Sequence, residues 1–186
     1  MPNKSKNKGK AYERVVCKHL TKIFGLNHER VWSSGAFTGG QNIARCERLT
    51  KEQLLLSEGD IIVPVELSHV KYECKDHRDF SFSKLFTGSA KLDGWIKQAS
   101  QSNRLLWLLV FKAAHVGSYV VFDSVWQNIF SIKNNWMVYK NKYIITSLND
   151  FFEDNKDIIL NLPTLHTQQI VHATIPLSQR DQSNVN

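Results

Sequence analysis

The residues best suited to chemistry lie between Gly59 and Lys75, in the run GDIIVPVELSHVKYECK. Asp60 opens one apolar stretch and the triplet Glu73-Cys74-Lys75 closes a second. Side chains alternate faces along a strand, so Glu73 and Lys75 project from one side, roughly 7 Å apart, and Cys74 turns into the opposite layer. With Asp60 at the start of the neighbouring strand of the same hairpin, two carboxylates and an ammonium converge. Carboxylates hold Mg²⁺ through hard oxygen ligands. A lysine beside them orients or activates the attacking water and offsets transition-state charge, as metal-assisted phosphodiester hydrolysis requires. The same triplet also has a purely structural use, since charges on an edge strand keep it hydrated and unaggregated.

The elements that must position these groups read as a single α/β domain, a mixed central sheet flanked by helices. Residues 1–9 form a basic arm expected to be flexible, residues 10–162 the folded domain, and residues 163–186 a polar tail expected to be partly unfolded. Apolar residues at helical spacing predict a helix from Lys10 to Phe24, with Gly25 as its cap. A short strand at Arg30–Trp32 leads into the small-residue loop SSGAFTGG. A short helix is expected over 50–58, with Thr50 and Gln53 as a capping box. The hairpin of 60–75 follows, then a helix from Leu92 to Gln101. Leu105–Lys112 reads as a strand buried on both faces, and Ser118–Asp123 as another. A short helix at Val125–Phe130 precedes a second hairpin, Trp136–Tyr139 with Tyr143–Thr146. A short helix, Leu148–Glu153, closes the pattern.

The chain of 186 residues carries a formal charge of +7 and a pI near 9.3, which favours a polyanionic partner. Lys4, Lys6, Lys8, Lys10, Arg14, Lys18 and Lys22 crowd the first stretch, where phosphate contacts would make binding salt-dependent. Cys17, Cys46 and Cys74 are too few and too scattered for a disulfide framework, and Cys74 with His77 lacks the second pair that a zinc site needs. No apolar run reaches spanning length, and the polar N-terminus lacks a secretory pattern. A cytoplasmic protein is expected, with no membrane partner.

The ordered set of features resembles the PD-(D/E)xK nuclease superfamily, and within it archaeal-type Holliday-junction resolvases and their phage-borne relatives. The segment KGKAYE matches that group's Lys-Gly-x-x-x-Glu pattern and puts its helix glutamate on Glu13. The loop SSGA puts its active-site serine on Ser34. Asp60, Glu73 and Lys75 carry over as the metal-binding and catalytic residues, and GWIKQA supplies the helix with Trp95 and Gln98. The likeness spans roughly residues 8–123.

It implies a restriction-endonuclease-like core and a Mg²⁺-dependent endodeoxyribonuclease, with Mn²⁺ able to substitute. The ion would sit on Glu13, Asp60 and Glu73, together with waters, a phosphate oxygen and the Cys74 carbonyl. Ser34 would hydrogen-bond a phosphate oxygen or a metal-bound water. Lys8, Lys10, His77, Arg78, Lys84 and Gln98 are the DNA-binding candidates, with Lys71, Lys91 and Lys97 lining the approach. The substrate would be four-way or branched DNA in recombination and repair. One site per chain then calls for a homodimer, with Phe80, Phe82 and Phe86 as interface candidates. Other readings are a nuclease of different specificity, restriction-type or recombination-associated, and a DNA-binding protein without catalysis.

Three departures stand out. NIARCERLTKEQLLLSE reads as an inserted helix within 41–58, Gly59 replaces the proline of the superfamily name, and the block after Asp123 has no counterpart.

Overall fold

The computed structural model describes residues 4–31, 58–77, 80, 82–113 and 116–174. The first helix, α1 (Lys4–Phe24), buries Tyr12, Val16, Leu20 and Phe24, a stripe repeating every four residues. Gly25 ends it with φ +70° and an N–H donated to the Thr21 carbonyl at 2.9 Å, the left-handed cap its type favours. The helix begins at Lys4, so most of the arm expected to be flexible is helical. Lysine has good helix propensity, and Lys8 gains a partner in Asp76 at 3.3 Å.

Among the described residues, five strands form the main sheet, in the spatial order β3-β4-β5-β7-β6. They are β3 (Val70–His77), β4 (Leu106–Ala113), β5 (Gly117–Asp123), β6 (Trp136–Tyr139) and β7 (Tyr143–Ser147). β3 and β4 run parallel, with Glu73 opposite Leu109 and Lys75 opposite Phe111. The other pairings are antiparallel. A parallel pair needs a crossover, and here it carries α2 (Lys84–Thr87) and α3 (Ala90–Ser100). Ser89 caps α3 by accepting the Leu92 N–H at 3.3 Å. A separate two-stranded ribbon pairs β1 (Glu29–Arg30) with β2 (Ile61–Ile62).

That ribbon corrects the expected hairpin over 60–75. Ile61–Ile62 pairs with Glu29–Arg30 rather than with β3, and the chain reaches β3 through Pro64 and a 3-10 turn at Val65–Leu67. Proline has no N–H for a ladder, so a continuous strand up to a tight turn was not available.

Alternation along β3 and β4 divides the core into two layers. Val70, Tyr72, Cys74, Leu108 and Val110 pack beneath α1 and α4 (Leu148–Thr174). Leu109, Phe111 and Val121 pack beneath α3 with Leu92, Ile96 and Ala99. β4 is apolar toward both layers, as its unbroken run predicts. α4 is far longer than the helix expected at Leu148–Glu153 and passes through Pro163 into the tail expected to be unfolded. Proline normally disrupts a helix interior, but Phe151, Phe152, Ile159 and Leu162 are all buried here and hold the helix in place.

The helix expected at Val125–Phe130 is a 3-10 turn, Ser124–Trp126, in which the Val125 N–H donates to the Asp123 carboxylate at 3.1 Å. The second hairpin forms as read, with Lys140 and Asn141 at φ +51° and +54° as its tight turn demands. The helix expected over 50–58 and the SSGAFTGG loop lie outside the described residues. No described helix is long and apolar enough to cross a membrane.

Candidate active site

β3 is an end strand of the sheet, and its open edge is filled by Gly59 and Asp60. The Asp60 N–H donates to the Tyr72 carbonyl at 2.8 Å. The Cys74 N–H donates to Asp60 Oδ2, also at 2.8 Å. A carboxylate thus accepts from an edge amide that no described strand pairs. The Val31 N–H donates to the Asp60 carbonyl at 3.0 Å and ties this corner to the ribbon.

Gly59 makes the approach possible. Its φ is +91°, and a Cβ there would lie 2.5 Å from the Tyr72 carbonyl oxygen. Proline, locked near φ −65°, cannot occupy this backbone. The departure from the superfamily's proline therefore has a steric cause.

Asp60 and Glu73 are buried, at 7% and 3% exposure. Lys75 Nζ lies 2.6 Å from Glu73 Oε1 and keeps part of its side chain in solvent. Burial pushes the Asp60 carboxyl up to about 7, and the Glu73 charge pushes the same way. The Cys74 N–H bond and Lys75 hold it down, and Glu13 adds to the rise. Two buried carboxylates sharing one corner disfavour double ionisation; a cation removes that conflict.

Glu13, buried on α1, faces the same corner, with Arg30 Nη1 3.4 Å from its Oε2. Arg30 also donates to the Val31 carbonyl at 2.9 Å. Nothing in the spacing of the sequence marked Arg30; its place follows from the pairing of β1 with β2, which sets it opposite Ile61, next to Asp60.

Lys71 does not line an approach for DNA. It is buried, and its Nζ donates to the Gln98 and Gln101 carbonyls at 3.1 and 2.7 Å, closing the C-terminus of α3. A buried ammonium needs such partners, and burial lowers its pKa.

Lys10, Lys84, Lys91, Lys97 and the Gln98 side chain are exposed. His77 Nε2 accepts from Lys91 Nζ at 2.6 Å. Phe80 is buried against Phe111 and Trp95, so it offers no surface to a second subunit. Phe82 packs on Tyr119; Phe86 alone of the three is exposed. Ser34 and Arg78 lie outside the described residues.

Among the described residues, no three or more His, Cys, Asp and Glu side chains are gathered into a metal cluster. The acidic pair Asp60 and Glu73 fits a divalent cation by donor chemistry and by its excess buried charge, to which Glu13 adds.

A mixed sheet flanked by helices, with an aspartate and a Glu-x-Lys triplet meeting at an edge strand, defines the core of a PD-(D/E)xK nuclease. Residues 4–171, nearly the whole chain, match the family described as "Phage putative PDDEXK endonuclease", and the chain belongs to that family. No curated protein and no solved structure matches it. The match runs well past Asp123, so β6, β7 and most of α4 are part of the family's unit. Membership makes the protein a nuclease with DNA as its substrate, of a class that generally uses divalent metal ions.

Proposed function

We propose that Asp60, Glu73 and Lys75 form the catalytic centre of a Mg²⁺-dependent DNA endonuclease, with Mn²⁺ able to substitute. The carrying observation is the buried Asp60–Glu73 pair, with Lys75 Nζ on Glu73, at the open edge of β3. Asp60 and Glu73 would hold the ion together with the Cys74 carbonyl. When bound, it would polarise the scissile phosphate and make a water acidic enough to attack near neutral pH. Lys75, partly in solvent, positions that water and offsets charge on the phosphate. Glu13 and Arg30 brace the corner from α1 and the ribbon. Ser34 is assigned a phosphate oxygen on the strength of the SSGA match.

The substrate we assign is branched DNA, in the manner of a Holliday-junction resolvase. The KGKAYE and SSGA segments support this, as does the net charge of +7. Paired cuts in two symmetry-related strands require two sites, hence a homodimer. Junction and duplex offer the same phosphates, so discrimination rests on shape. Cleavage of matched junction, flap and linear duplex in Mg²⁺ tests the assignment. Paired symmetric incisions near the branch point are expected. Equal affinity for junction and duplex, with equal cleavage, would leave a general nuclease.

A further inference from the structure

Phe86 is the most exposed large apolar side chain among the described residues, at 85%. A single exposed hydrophobic residue is ordinary. This one is unusual in what lies under and around it. Leu85 anchors α2 from below, and the Phe86 N–H bonds the Ser83 carbonyl at 3.2 Å. In the core layer that Leu85 enters, Phe80 packs on Phe82 and Phe111, so α2 is anchored in a block of rings. On the surface its immediate neighbours, Ser83, Lys84 and Thr87, are polar and exposed. A subunit contact would ask for apolar neighbours there.

Lys84 and Thr87, on the same turn of α2 as Phe86, line an open groove of about 730 Å³ together with Lys91, Trp95 and the backbone around Gly88. Among the described residues, no carboxylate lines it. Asp93, on the adjoining helix, points to Tyr139 and Lys140 at 2.9 and 2.7 Å. The groove also joins the candidate centre. His77 lies two residues beyond Lys75 on the same face of β3, roughly 7 Å along. From there His77 meets Lys91 at 2.6 Å and the Trp95 ring at 5.8 Å. Lysines matched to phosphate and an aromatic face matched to a base together describe a contact for a nucleic-acid strand.

We propose that Phe86 is a stacking platform for an unpaired base of the DNA strand leaving the catalytic centre along Lys91 and Lys84. A base inside duplex has no free face to offer, whereas a base at a branch or in a single-stranded arm does. The platform therefore favours DNA that is unpaired beyond the scissile phosphate. The proposal rests on the Asp60, Glu73 and Lys75 assignment for where that phosphate lies, but its test reads binding alone.

The probe is a forked duplex with 2-aminopurine at the first unpaired position, compared with a paired duplex of equal length, using the full chain in Ca²⁺. Phe86→Ala is expected to bind the fork roughly tenfold more weakly and to lose the fluorescence change on binding. Phe86→Trp is expected to retain both, and an unchanged melting temperature would exclude misfolding. Unaltered fork affinity and signal in Phe86→Ala would overturn the proposal. So would a shift from dimer to monomer with the signal intact, which would place Phe86 at a subunit contact. Failure of the parent to cut any DNA in Mg²⁺ would count against the catalytic assignment, and the binding comparison would still decide the role of Phe86.

Discussion

The two faces of β3 are built on opposite principles. Toward α1 and α4 the strand presents Val70, Tyr72 and Cys74, all buried in the apolar core, and ends in Asp76 paired with Lys8. Toward α3 and the open edge it presents Lys71, Glu73, Lys75 and His77, one carboxylate among three basic groups. The apolar face stabilises the fold by removing surface from water, about 1.5–3 kcal/mol for each large side chain. The charged face holds ionisable groups where burial disfavours their charge, at a cost to stability. Keeping that face makes sense only if the charges do work.

The sharpest way to break this contrast is Lys75→Ala. Loss of the ammonium is expected to lower cleavage by roughly 10²–10⁴-fold, the range for a group acting on proton transfer, and to lower the melting temperature of metal-free protein because buried Glu73 loses its partner. Single-turnover cleavage checks it, and parent-like rates would remove Lys75 from the mechanism.

Lys71→Met separates structure from chemistry within the charged face. It strips two charge-assisted hydrogen bonds from the end of α3 and is expected to cost about 1.5–3 kcal/mol of stability. Denaturant unfolding measures this. Lys71→Arg should recover part of the loss.

pH offers a third test. The Asp60 carboxyl is raised from 3.8 to about 7 in the folded chain, so the folded state binds its proton more tightly than the unfolded state does. Stability from this group is full below pH 3.8 and is lost as pH rises through about 7. Metal-free protein is thus expected to have a lower melting temperature at pH 8 than at pH 5. Asp60→Asn should flatten that slope, and Mg²⁺ should restore stability at pH 8 in the parent alone. Equal slopes in parent and variant would place the strain elsewhere.

The smallest effect belongs to the apolar face. The Tyr72 hydroxyl is buried and has no hydrogen-bond partner among the described residues. Tyr72→Phe removes that unsatisfied group and is expected to change stability by less than about 1 kcal/mol, toward greater stability. A large loss would reveal a partner for the hydroxyl.

This contrast also explains what could be read from the sequence. Period-two alternation put Glu73 and Lys75 on one face and Cys74 on the other, and that is how they sit. The helix carrying Glu13 was legible from its four-residue stripe. The partner of Ile61–Ile62 was not, because a two-residue strand carries too little pattern to choose between β3 and Glu29–Arg30. Lys71 read as a surface cation since nothing local reveals that the end of α3 lands on it. The last helix read as ending at Glu153, because the burial of Ile159 and Leu162 that carries it onward is a tertiary fact.

The central claim is that Asp60 belongs to a metal-dependent catalytic centre. Cleavage of branched DNA by the parent and by Asp60→Asn, in Mg²⁺ and in chelator, with DNA binding measured alongside, tests it most directly. Asparagine keeps the size of the side chain and an oxygen for the Cys74 N–H, but not the charge. The account predicts cleavage by the parent in Mg²⁺ only, and a loss of orders of magnitude in Asp60→Asn. DNA binding by that variant should be retained or tightened. Parent-like cleavage by Asp60→Asn, or undiminished cleavage in chelator, would contradict it.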